Sequence, residues 1–128
     1  MEGPIEGETH TFERTFTTDD VERFAALSGD RQDQHTEPDK DGRLLVHGLL
    51  TATLPTKIGG DLEVLATEMT FQFRQPVYTG EQITCLWTFD TVDEQGDRYA
   101  VTVDVECTNS NGESVLTGDI EGLIWKTS

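Results

Sequence analysis

The stretch Asp30–Gly60, DRQDQHTEPDKDGRLLVHGLLTATLPTKIGG, contains most of the candidate chemistry of the chain and its most apolar segment. Residues 47–58 carry no charge before Lys57, so we expect a helix there that is buried on nearly all sides. Gly59-Gly60 should end it, and Pro55 should kink it or confine the regular part to earlier residues, because proline lacks an N–H. About a dozen residues are too few to span a bilayer.

Just before this segment, Asp30 and His35 lie five residues apart in a polar stretch rich in turn-forming residues. We expect a surface loop over residues 32–43. Farther upstream, residues 8–17 suit an edge strand. A helix of about ten residues should begin after Thr17 or Thr18 and stop at Gly29, which a left-handed cap favours.

Downstream of Gly60 the apolar pattern changes to a period of two, which indicates strands. Leu65, Met69, Phe71 and Phe73 are expected on one face of the first strand. Three more strands should follow, with inward positions at Ile83, Cys85, Trp87 and Phe89, then Tyr99, Val101, Val103, Val105 and Cys107, then Leu116, Ile120 and Ile124. The sequence therefore predicts an α+β fold in which a curved antiparallel sheet wraps around a mostly apolar central helix. The free sheet edge further predicts a symmetric dimer.

The composition narrows the possible partners and surroundings. The net charge is −16, from 9 basic and 25 acidic residues, and binding a nucleic acid needs clustered cations. Such a charge fits either a disordered chain or a folded protein adapted to concentrated salt, in which charge repulsion is screened. The strong strand periodicity favours the second, so we expect a halophilic host.

The remaining features indicate one domain, residues 1–128, in the cytoplasm. The first four residues are acidic and polar, and no run of eighteen apolar residues follows, so we expect neither a leader nor a membrane span. Cys85 and Cys107 are too few for a disulfide scaffold and lack metal-type spacing. We expect both to be buried, reduced thiols.

Three stretches resemble the MaoC-like (R)-specific enoyl-CoA hydratases, a family with the hot-dog fold. Asp30 followed by His35 is similar to the family motif D-x-N-P-x-H. Residues 46–50, VHGLL, resemble the V-H-G opening of the central helix. Residues 73–81, FRQPVYTGE, are similar to a strand and turn shared by many hot-dog proteins.

The resemblance implies that Asp30 and His35 form the catalytic pair and that the Gly48 N–H binds the thioester oxygen. The implied reaction adds water to a trans-2-enoyl-CoA and gives an (R)-3-hydroxyacyl-CoA. This product would feed polyhydroxyalkanoate synthesis or, with the reaction reversed, fatty-acid turnover. The hydration needs a held water, a proton for C2 and a stabilised enolate oxygen, and a carboxylate with a neutral imidazole can both accept from one water. No metal or other cofactor is implied, since coenzyme A is part of the substrate. A homodimer, or a dimer of dimers, is expected.

The chain also departs from the family pattern. Gln32-Asp33 stands where the family has Asn-Pro, and Thr56 stands where a serine is often found.

We favour a structural role at the helix start for His47. Arg43 and Arg74 could each bind a coenzyme A phosphate or form an ion pair. The alternative functions are a hot-dog acyl-CoA thioesterase and a non-catalytic acyl-CoA-binding subunit.

Overall fold

The computed structural model describes residues 3–126. Along the chain the elements are β1 (Thr9–Thr15), α1 (Thr18–Ser28), α2 (Asp33–Thr36), α3 (Gly48–Thr51), α4 (Thr53–Asp61), β2 (Leu65–Phe73), β3 (Gln82–Gln95), β4 (Arg98–Thr108) and β5 (Ser114–Trp125). The strands form a five-stranded sheet in the order β1-β3-β4-β5-β2, and every neighbouring pair is antiparallel. As predicted, β1 lies at an edge. The α4 helix packs against β1, β2 and β3.

The predicted limits of α1 are confirmed, and local hydrogen bonds explain them. The Thr17 hydroxyl accepts from the Asp20 N–H at 3.1 Å, and the Asp20 carboxylate accepts from the Thr17 N–H at 2.9 Å. This capping box satisfies two N–H groups that the helix itself leaves unpaired. At the other end Gly29 has φ 82°, a left-handed conformation in which glycine is favoured. The reversal at Gly29 delivers the chain to Asp30.

The loop expected over residues 32–43 is interrupted by the single turn α2. The His35 N–H donates to the Gln32 carbonyl at 2.8 Å, and the Glu37 N–H donates to the Asp33 carbonyl at 2.7 Å. Asp33 lies in the first turn, where a carboxylate favours helix formation. The prediction of an unbroken loop was therefore wrong, and α2 gives His35 a defined backbone position.

The central apolar segment forms two helices where one was expected. Ala52 separates α3 from α4; it stays in the right-handed helical region, with φ −65° and ψ −10°. Pro55 has no N–H to donate to the Thr51 carbonyl, and the interruption at Ala52 lies within the turn that this bond would have closed. The expected interruption by Pro55 is therefore found, three residues before the proline. The alternative of a helix that is regular only before Pro55 was wrong, because α4 continues through Pro55 to Asp61.

Two further expectations for this segment also fail. The α4 helix runs through Gly59 and Gly60 to Asp61, so the glycine pair does not end it. A Cβ on Gly59 would lie 3.2 Å from the Trp87 ring, which shows that this glycine permits close packing on the sheet. The segment is also not buried all round, since Leu49 is 64% exposed and Lys57 is exposed.

The predicted inward faces of β3, β4 and β5 are confirmed. Alternate residues there are buried and form the core with side chains from the other elements, including Phe16, Val21, Leu54 and Ile58. The free thiols of Cys85 and Cys107 are buried opposite each other on β3 and β4, as expected of small apolar residues. No helix among residues 3–126 is long and apolar enough to cross a bilayer.

One face assignment in β2 was wrong. An irregularity between Ala66 and Glu68 adds a residue to the strand, so Ala66 and Met69 oppose Gly122 and Ile120 on the inward face of β5. Leu65 consequently points the other way from Met69, because a bulge reverses the alternation.

Candidate active site

Three candidate site residues, Asp30, His35 and Gly48, line one cavity of about 710 Å³. Asp30 follows the left-handed cap of α1, His35 lies in α2, and Gly48 begins α3. The structure thus brings together residues from three separate parts of the chain.

The tautomer of His35 follows from its hydrogen bond. Its Nδ1 lies 2.6 Å from the Leu45 carbonyl oxygen, and a carbonyl can only accept, so Nδ1 carries the proton. In the neutral ring Nε2 is then an unprotonated acceptor. The side chain is buried, with only 5% of the residue exposed. The hydrogen bond thus selects the neutral tautomer that can accept a proton at Nε2.

The Asp30 carboxylate is oriented by Gln32, one of the residues that depart from the family motif. Its Oδ1 accepts from the Gln32 side-chain amide at 3.0 Å and from the Gln32 backbone N–H at 3.4 Å. The side-chain bond from Gln32 is the main cause that holds the pKa of Asp30 below its ordinary value. Asp30 is therefore ionised at neutral pH, and its Oδ2 stays available.

The two available atoms face each other. Asp30 Oδ2 and His35 Nε2 are 3.7 Å apart, which is too long for a direct hydrogen bond. Both are acceptors in the forms just described. One water molecule lying beside the gap, about 2.8 Å from each atom, could donate one hydrogen to each. This arrangement can hold a water and remove a proton from it.

Gly48 supplies a backbone donor to the same cavity. As the first residue of α3, its N–H has no acceptor within the helix. The Phe73 ring packs on it so closely that a Cβ at this position would lie 2.7 Å from a ring carbon. The α3 helix has only four residues, so its dipole is small. The positive partial charge offered to a ligand is therefore mainly that of the Gly48 N–H itself.

His47 contacts both members of the pair. Its Nε2 lies 2.9 Å from the Asp30 carbonyl oxygen and must donate to it. Its ring stacks on that of His35, with centroids 3.7 Å apart and planes 16° apart. It makes no side-chain cap of α3. His47 thus makes a hydrogen bond at the start of α3, as expected, but this bond reaches back to Asp30 and does not cap the helix.

The two arginines considered for phosphate binding differ. Arg43 pairs with Asp39 at 3.1 Å and lies over the Tyr78 ring, so it is an ion-pair residue. Arg74 lines the cavity, and its Nε donates to Thr117 Oγ1 at 3.0 Å. Among residues 3–126, Arg74 has no carboxylate within ion-pair distance.

Asp30, His35 and His47 also have ligand-type atoms within 4.8 Å of one another, which raises the question of a metal ion. A transition metal binds imidazole nitrogen in the ring plane at about 2.0–2.1 Å. The two rings are stacked and nearly parallel, so an ion bound to both would lie far out of each plane. This geometry suits a metal poorly and suits the held water well.

Sequence reasoning missed three contributors to the site. Gln32 was noticed only as a departure from the family motif, and His47 only as a helix-start residue. The Leu45 carbonyl, which fixes the His35 tautomer, has no signal in the sequence because any residue supplies a carbonyl. Thr56 does not line the cavity, and its hydroxyl donates to the Ala52 carbonyl at 2.9 Å.

Comparison with known proteins places the chain in a family. Residues 7–118 match the model of the FAS1-like, dehydratase domain region. The chain belongs to this family. A curated relative, the mitochondrial 3-hydroxyacyl-[acyl-carrier-protein] dehydratase of Arabidopsis thaliana, is 26% identical over an alignment of 110 residues, and the match covers 80% of this chain. The match spans 66% of that relative's length.

Solved structures share the fold. The (R)-hydratase from A. caviae involved in PHA biosynthesis superposes with a TM-score of 0.83 at 22% identity, covering 98% of this chain and 99% of that one. The MaoC-like dehydratase from Rhodospirillum rubrum gives a TM-score of 0.79 at 16% identity, covering 98% and 95%. The predicted hot-dog fold and the MaoC-like resemblance are confirmed. The family match and the shared fold together place the chain in a dehydratase family with the hot-dog fold.

Proposed function

We propose that the protein is an (R)-specific enoyl-CoA hydratase, which adds water to a trans-2-enoyl-CoA to give an (R)-3-hydroxyacyl-CoA. The observation that carries the proposal is the 3.7 Å gap between Asp30 Oδ2 and His35 Nε2, two acceptors in one cavity with the Gly48 N–H. Hydration needs two acceptors that can bind the same water, and these two atoms face each other beside the cavity.

The reaction can be followed atom by atom. A water donates to Asp30 Oδ2 and His35 Nε2, loses one proton to the pair, and adds its oxygen to C3 of the enoyl thioester. The electrons of the double bond move onto the thioester oxygen, where the Gly48 N–H stabilises the enolate. The proton held by the pair is then delivered to C2, which completes the addition of one water. Positioned acid–base groups of this kind contribute about 10² to 10⁴ in rate.

The same proposal covers the assembly and the setting. We infer a homodimer or a dimer of dimers, because apolar side chains at Leu49, Met69 and Phe73 are 64%, 44% and 54% exposed in one chain. The proposed compartment is the cytoplasm, which the free buried thiols support. A role in supplying polyhydroxyalkanoate synthesis is likewise proposed, by analogy with the A. caviae hydratase.

The test follows the absorbance of the enoyl thioester with crotonyl-CoA, then longer enoyl-CoAs and their acyl-carrier-protein counterparts, with a thiol reagent in parallel. Loss of the band without thiol release, and formation of the (R) product on chiral analysis, would support the proposal. If only the acyl-carrier-protein substrates are turned over, the substrate is an acyl-carrier-protein thioester and the proposed coenzyme A thioester is wrong. Thiol release without hydration would favour a thioesterase and contradict the proposal.

A further inference from the structure

The structure places His47 between the main chain of one catalytic residue and the ring of the other. Its Nε2–H donates to the Asp30 carbonyl at 2.9 Å, and its ring stacks on His35 at 3.7 Å. It also packs on Phe24, with ring centroids 4.9 Å apart. His47 is 3% exposed, so these contacts are made in the interior. A single side chain thus touches both halves of the proposed water site.

The other ring nitrogen of His47 has no compensating contact. Because Nε2 must carry the proton, Nδ1 is an acceptor in the neutral ring, and it is buried without a hydrogen-bond partner among residues 3–126. A buried acceptor without a partner destabilises a folded protein. A phenylalanine would fill the same space without that penalty. The histidine is therefore not explained by packing alone, and such local departures are typical of functional sites.

We propose that His47 is a positioning residue for the hydratase reaction. Its N–H fixes the main chain at Asp30, and its ring fixes the plane of His35. The two contacts together set the gap in which the water is held. The proposal rests on the proposed function for its catalytic consequence, while the two contacts themselves can be measured without turnover.

Two variants separate the contacts. His47→Phe keeps an aromatic ring against His35 and removes the donor to Asp30. His47→Gln keeps an N–H near the position of Nε2 and removes the ring. His10→Gln is the matched control, because His10 pairs with Glu8 and does not line the cavity.

The first readout is spectroscopic and needs no substrate. The chain has three histidines, so the ring nitrogen signals can be assigned by substitution. We expect the Nε2–H tautomer for His47 and the Nδ1–H tautomer for His35. The carbonyl ¹³C signal of Asp30 should move more in His47→Phe, which removes the donor, than in His47→Gln, which keeps one. The ring protons of His35 should lose their ring-current shift in His47→Gln, which removes the stacked ring, and keep such a shift in His47→Phe. An Nδ1–H tautomer at His47, or no movement of either signal, would overturn the proposal.

The second readout is kinetic. Each variant should lower kcat by about 10²-fold, as expected for a small misplacement of reacting groups, while KM stays near the wild-type value. The Tm of His47→Phe should change little, because removal of the unpartnered nitrogen offsets loss of the bond to the Asp30 carbonyl. Activity that falls only in step with Tm would make His47 a core residue and overturn the proposal. If the wild type hydrates no enoyl thioester, the proposed function fails, and the spectroscopic result still decides whether His47 positions the pair.

Discussion

Asp30 and His35 each have one polar atom engaged and one atom left for a ligand. For Asp30 the engaging partner is the Gln32 amide, which the sequence marks only as a substitution in the family motif. We expect Gln32→Ala to raise the pKa of Asp30 towards its ordinary value, because the bond that favours the carboxylate is lost. A ¹³C titration of the Asp30 carboxyl would measure this. Gln34→Ala is the control, since Gln34 bonds to Gln32 and not to Asp30, and an unchanged pKa in Gln32→Ala would contradict the account.

Gly48 permits a second prediction at this scale. A Cβ at Gly48 would lie 2.7 Å from the Phe73 ring, so Gly48→Ala must displace that ring or the start of α3. We expect kcat to fall by about 10²-fold, the cost of misplacing a donor to the developing oxyanion. Gly60→Ala is the matched control, because nothing lies within 4 Å of a Cβ there. Equal activity of the two variants in the hydration assay would contradict a role for the Gly48 N–H.

The residues of the site were only partly predictable. The spacing and the family resemblance brought Asp30, His35 and Gly48 forward, and the structure places them around one cavity. The partners that set their chemistry are a backbone carbonyl at Leu45 and a stacked ring at His47. Neither contact follows from sequence spacing, because each depends on how α2 and α3 pack together.

Among the elements, predictions succeeded where one local signal dominated. The capping residues and Gly29 fixed α1, and alternation fixed β3, β4 and β5. They failed where tertiary packing overrode a local rule. Gly59 was expected to stop a helix. It lies within α4 instead, and its lack of a side chain makes room for the Trp87 ring of β3. The bulge in β2 also has no clear sequence signal, so the face of Leu65 was assigned wrongly.

The β2 strand leads to a prediction of its own. It lies at an edge of the sheet, and its inward-face residues Met69 and Phe73 are 44% and 54% exposed. We expect sedimentation in molar KCl to give a mass about twice the 14.3 kDa of one chain. Met69→Glu should shift the mass towards one chain, because it places a charge on the apolar face. Gln72→Glu, which puts the same charge on the other face, is the control, and a wild-type monomer would contradict the dimer.

Over the whole molecule, like charges face each other across the sheet. Glu68 opposes Glu121, and Asp104 opposes Asp119. Such pairs destabilise a sheet, and salt screens them. With a net charge of −16, the protein should have a higher Tm in molar KCl than in dilute buffer. The reverse order would contradict the proposed adaptation to salt.

Asp104 tests the same idea by pH and substitution. Partial desolvation of its carboxyl group, followed by the neighbouring carboxylates of Asp119, Asp90 and Glu106, raises the pKa of Asp104. A carboxyl group whose pKa is raised on folding destabilises the protein above that pKa, and this destabilisation is relieved as pH falls through the raised pKa towards the ordinary value. Asp104→Asn should therefore raise Tm at pH 7 in dilute buffer, and by less in molar KCl or at lower pH. Asp97→Asn, which removes a charge already paired with Arg98, should not raise it.

The most direct test of the central claim is the initial rate of crotonyl-CoA hydration in molar KCl for the wild type, Asp30→Asn, His35→Ala and the double variant. If one water is held between Asp30 Oδ2 and His35 Nε2, each single substitution should lower the rate by about 10² to 10⁴. The double variant should be little slower than the slower single variant, because the two groups act as a unit. Single variants that retain the wild-type rate, or losses that simply multiply in the double variant, would contradict the shared water.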